Sequence, residues 1–184
     1  DLATSLAWAR MDRYITTDLC GARYSYSFGN FTQNIMHKAA LWLAASEVFS
    51  KDDQPGIGFI YPDTISHWDH HIQANYGFQI PEVLFLILVE KHFKTGCAFL
   101  SVPITEKVAI PTVPEMLDMT GACQRAQEVT YYWEPMMNWE PLEKLRDETI
   151  DLSDRMFHYM LDGLKEAGVD ITNPIELMTV LKAI

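Results

Sequence analysis

The feature that most narrows what this chain can fold into is a repeated unit, a short strand-like run followed by a helical stretch, met three times. Residues 23–28 set Tyr24, Tyr26 and Phe28 against Ser25 and Ser27, the period-two alternation of a strand. Residues 56–61 and 98–102 are short apolar runs bounded by turn formers and read as two more strands. Helices are predicted over residues 2–17, from the caps Asn30 or Thr32 to Phe49, and over 82–93, 114–129, 142–167 and 174–183. Gly21 and Gly96 end two of them. A tract rich in Trp, Tyr, Met and Pro, residues 131–141, has no clean period.

Helix and strand in alternation is the pattern of a parallel sheet with helices on its faces. A dinucleotide-binding sheet is disfavoured, because the turn Phe28-Gly29-Asn30-Phe31 carries one glycine where that fold needs three. The predicted class is therefore α/β, a partial TIM-type (β/α)8 barrel with a helical C-terminal region, as a single domain over residues 1–184. Three strands cannot close a barrel. The chain also starts at Asp1 inside a helical pattern, so a missing N-terminal half or a second, barrel-completing chain is expected.

Charge removes some partners. A net charge of −11 and a pI near 4.8, with no Lys/Arg cluster, argue against nucleic acid. No uninterrupted apolar run reaches the roughly 18 residues that span a bilayer, so no membrane association is expected, and an acidic cytoplasmic protein is the plain reading. Cys20, Cys97 and Cys123 are odd in number and lack metal-type spacing, as for buried thiols in a reducing compartment.

Ligands of parallel sheets collect beyond the strand C-termini. That rule selects three loops, 29–33, 63–71 and 103–112. The middle one holds three of the six histidines: His67, His70 and His71, with Asp69 between them. Imidazole moves protons near neutrality and ligates divalent metals, so Asp69, His70 and His71 are metal candidates and His67 an acid–base or ligand-binding candidate. Glu106 is a candidate base or hydroxyl acceptor, with a cap or a partner for Lys107 as its plain reading. Asn30 and Gln33 can offer amides to a polar ligand or cap a helix. Tyr131, Tyr132, Trp133 and Trp139 read as a core or interface seam, or as the wall of a cofactor pocket.

Three segments together carry a family resemblance. The run Phe28 to Ile35 followed by Ala39-Ala40-Leu41, the segment Thr64-Ile65-Ser66-His67, and the run Thr105 to Thr112 resemble successive pieces of the large, barrel subunit of cobalamin-dependent glutamate mutase (methylaspartate mutase). The order agrees along nearly the whole chain at low identity, and Gly29-Asn30 and Ala109-Ile110-Pro111-Thr112 are its most specific parts. The resemblance implies the second half of a barrel facing adenosylcobalamin carried by a small Rossmann-like cobalamin-binding subunit. It implies an isomerase that rearranges the carbon skeleton of a small acidic amino acid. His67 would contact corrinoid or substrate, Glu106 the adenosyl ribose, and Asn30 the cofactor. The family's ribose-binding lysines fall on Ala98 and Val102, which carry no ammonium. Two alternatives stand beside it. One is a cobalamin-independent relative that uses the His67, Asp69, His70, His71 cluster for metal-assisted or acid–base chemistry. The other is a non-catalytic partner subunit.

Overall fold

The computed structural model describes residues 2–28, 34–50, 57–60, 67–99 and 101–183, with the backbone alone for 57–60, 98 and 99. Its centre is α2, Ile35–Phe49. Asn34 starts this helix, its side-chain oxygen accepting from the amides of Met36 at 2.9 Å and His37 at 3.2 Å. From Ala39 to Ala45 every residue is buried, as expected of a helix that is apolar all round and has neighbours on every side.

Two long helices close over α2. α1, Leu2–Arg13, and α5, Glu140–Glu166, pack on each other, and both also touch α2. Leu6, Ala9, Leu41, Leu43 and Leu142 fill the seam. Arg10 anchors α1 to α5 through Asp154 at 3.2 Å and Ser153 at 3.2 Å. α1 does not run on to residue 17 as a regular helix; Tyr14–Leu19 forms a π-helical turn that ends at Gly21, whose φ of +67° suits glycine. That wide turn carries Ile15 into a second, smaller core with Met11, Leu161 and Leu177 of α6, Pro174–Leu181.

α3, Tyr76–Phe93, packs against α2 on one side and α4, Val113–Trp133, on the other. It begins six residues before the predicted start. Gly77 and Pro81 read as breakers, yet Pro81 lies in the second turn, where it forfeits only the bond to the Gly77 carbonyl, and a 3-10 turn, Ile72–Asn75, leads in. The helical stretch Ile72–Phe93 is the one among the described residues long and apolar enough to cross a membrane; half of its apolar window is buried inside the protein, as for a core helix. At its end Glu90 accepts from the Thr95 amide at 3.2 Å, the Thr95 hydroxyl at 2.5 Å and the Gly96 amide at 2.9 Å, holding a turn in which Lys94 takes a φ of 53°. α4 starts with a capping box: the Thr112 amide and hydroxyl both donate to Glu115, at 2.6 and 2.7 Å, and hold its carboxyl below the usual range.

Among the described residues, extended structure is confined to three short strands, β1 (Ser25–Phe28), β2 (Ile57–Ile60) and β3 (Ala98–Phe99), of four, four and two residues. They pair in parallel in the order β1-β2-β3. Tyr26 of β1 lies in the core against Phe49, its hydroxyl 3.4 Å from the Cys97 sulfur, and burial pushes the phenols of Tyr24 and Tyr26 well above their ordinary range.

The barrel expectation is corrected here. Six α-helices dominate the described residues, and their main packing is helix on helix, so this is a mostly helical protein and not a partial TIM-type (β/α)8 barrel. Barrel closure needs long, tilted, continuously paired strands. A patch this small is an accessory to the helical core. Cys97 is buried as expected, but Cys20 is exposed and Cys123 half-buried.

Candidate functional site

One face of α3 departs from the logic of an apolar core. Asn75, just before the helix, and Gln79 and Glu82 within it fall at i, i+4 and i+7, and so share a face. All three are polar, and their exposures are 2%, 0% and 1%. Each reaches a different part of the chain. Asn75 accepts the Asp69 amide at 3.0 Å and donates to the Asp69 carbonyl at 3.1 Å, pinning the histidine loop. Gln79 donates to the Ser101 hydroxyl at 2.8 Å and lies 3.5 Å from the Val102 carbonyl, pinning the chain that leaves β3. Glu82 forms an ion pair with Lys38, itself 1% exposed, in the first turns of α2.

The same end of the molecule holds the histidine loop and Glu106. Trp68 is buried, whereas His67, Asp69, His70 and His71 are exposed. His67 stacks on Phe78 with ring centres 5.4 Å apart and planes 18° apart. Asp69 accepts the His71 amide at 2.7 Å, which ties the loop on itself. Among the described residues no three His, Cys, Asp or Glu side chains are grouped closely enough to hold a metal ion. Glu106 is exposed in a 3-10 turn, Ile104–Lys107, which packs against the turn Ile72–Asn75, so the Glu106 and histidine segments are neighbours. Asn30 and Gln33 lie outside the described residues. Ala98 belongs to β3 and Val102 follows it, half-buried. Ser101 also hydrogen-bonds Cys123, opposing the upward shift that burial gives that thiol. In the aromatic tract Tyr131, Tyr132 and Trp133 are exposed, while Trp139 is half-buried and stacks on His92 at 4.8 Å.

Sequence reading missed Lys38, Asn75, Gln79 and Glu82. A signal for two of them exists: Lys38 and Glu82 are opposite charges set into two long, strongly apolar helices, Ile35–Phe49 and Tyr76–Phe93. A charge in such a stretch must find a partner or stay neutral. The two needed each other.

Compared with protein-family models, with curated proteins and with solved structures, the chain matches none. With no barrel and no match, the resemblance to the glutamate mutase large subunit is set aside, and with it the ground for a cobalamin-dependent isomerase.

Proposed function

We propose that this chain carries out acid–base chemistry on a small acidic metabolite, bound where the histidine loop meets the Ile104–Lys107 turn. His67, His71 and Glu106 meet the ligand, and Lys107 adds a cation beside Glu106. One observation carries the reading: a fully buried polar face, Asn75, Gln79 and Glu82, ties that end of the protein together. Such a face costs desolvation, and apolar side chains of the same volume would stabilise as much or more. What the polar face supplies is geometry, holding loops that carry imidazole and carboxylate groups in fixed relation before a ligand arrives. Imidazole then exchanges the proton and the carboxylate accepts or orients it.

The test is an NMR titration of the histidine imidazole signals with a panel of small dicarboxylic and amino acids. At least one member is expected to shift the His67 and His71 signals saturably, and Gln79→Leu is expected to weaken that binding at least tenfold while the helical circular dichroism is kept. A panel that leaves both signals unmoved, or a Gln79→Leu protein that binds as well as the parent, overturns the reading.

A further inference from the structure

Phe78 shares the face of α3 that carries Gln79 and Glu82, and with Asn75 the four fall at i, i+3, i+4 and i+7. The other three are buried, whereas Phe78 is 50% exposed. It packs against none of the three cores, and its one ring partner among the described residues is His67. The two rings, 5.4 Å apart with planes 18° from parallel, form the offset stack that flat rings favour.

The chain around His67 is held on its own account. Trp68, the next residue, is buried, and Asn75 grips Asp69 through both its amide and its carbonyl. The stack on Phe78 then sets which way the imidazole faces. Among the described residues no hydrogen bond engages the nitrogens of His67, and the residue is exposed. His92 makes a similar stack on Trp139, but Trp139 is half-buried and packs against two cores. Core packing accounts for that pair. It does not account for a phenyl ring left half in solvent against a loop histidine.

We infer that the ligand of this site is a planar acid, an arene or heteroarene carboxylate, stacked on the platform of His67 and Phe78 with its carboxylate toward His71 and Lys107. The inference rests on the acid–base reading of the site and adds the shape of the ligand and a division of labour. A ring in a stack presents its face and turns its nitrogens aside, because the ring N–H bonds lie in the ring plane. His67 therefore grips the ligand, and proton exchange falls to His71. A saturated ring of the same size buries as much apolar area but has no π face, so burial alone gives the planar acid no advantage.

The test is an NMR titration with benzoate and with cyclohexanecarboxylate, equal in charge and carbon number, read at the imidazole signals of His67 and His71. Benzoate is expected to bind at least about threefold tighter, the scale of one added ring stack. Phe78→Leu and His67→Ala are each expected to abolish that preference, and His67→Phe, which keeps a flat ring, to retain it, with His71 as the reporter where His67 is replaced. In the protein without ligand, Phe78→Leu should also move the His67 ring protons downfield as the ring current of the phenyl face is lost. Equal binding of the two acids, a preference that survives His67→Ala, or His67 protons unmoved by Phe78→Leu overturns the inference and leaves the acid–base reading in place. So does binding of a saturated dicarboxylic acid where benzoate fails. If no acid of either shape binds, both fall.

Discussion

Replacing Lys38 by Met, Glu82 by Leu, and both together makes a double-mutant cycle whose outcome follows from burial. Each side chain is 1% exposed, so water cannot stand in for a partner that is removed. Breaking a buried ion pair from one side costs about 3–5 kcal/mol. Coulomb attraction gives the same scale, about 4 kcal/mol for unit charges 4 Å apart at an effective dielectric near 20. Both residues make further interactions, which draws the loss toward the lower end. With a urea slope of about 3 kcal/mol/M, at the upper end for small proteins, each single variant should unfold at a midpoint roughly 1–1.7 M lower. The double variant removes both charges and leaves no orphan, so its midpoint should lie above either single variant and within about 0.5 M of the parent. Urea denaturation followed by circular dichroism at neutral pH reads all four proteins. The reasoning fails if the double variant loses as much as the two singles summed, since the charges then act separately, or if either single variant costs less than about 1 kcal/mol.

Two further outcomes follow from local geometry. Burial raises the phenols of Tyr24 and Tyr26, so the folded state holds two protons that the unfolded chain gives up above the ordinary value of 10.0; stability attached to them is intact below that pH and falls as pH rises beyond it. Tyr24→Phe/Tyr26→Phe should leave the phenolate absorbance of the folded protein near that pH unchanged while lowering the amplitude gained on unfolding, and a drop in the folded signal would refute the burial argument. Lys94 takes a left-handed conformation and Gly96 has a φ of +73°, so Lys94→Gly should stabilise and Gly96→Ala, with open space at its Cβ, should destabilise, each by about 1 kcal/mol, or roughly 2–4 °C in Tm. A thermal melt that moves either variant the other way contradicts this.

Local chemistry was legible in the sequence where one signal sufficed. The amphipathic period over 142–167 and the helix expected over 174–183 are found as α5 and α6, the latter ending at Leu181. The period-two run about Tyr26 marks β1. Signals failed where two local rules conflicted: Gly77 and Pro81 argued for a break, and tertiary burial of Gln79, Glu82 and Val83 carried the helix through them. The end of α4 was hidden because its second half buries only Ala126 and Thr130, which leaves Tyr131, Tyr132 and Trp133 in solvent and blurs the period. The barrel error has a different source. Alternation of helix and strand is a local property, whereas closure depends on strand length and number, and the strands among the described residues, of four, four and two residues, do not reach it. The pairing itself was hidden for a related reason: Lys38 and Glu82 lie 44 residues apart, and although each interrupts an apolar helix, nothing local says which charge it meets.

The polar face of α3 also bears on motion. Three separate parts of the chain are held by atoms on one rigid rod, and none can leave without stranding a buried donor, acceptor or charge. Opening one segment alone is therefore costly, and once the rod itself shifts all three contacts are strained together. This end of the protein should open as one cooperative unit, with the amides of Asp69 and the first turns of α2 and α3 exchanging hydrogen at a common free energy and not in a graded series.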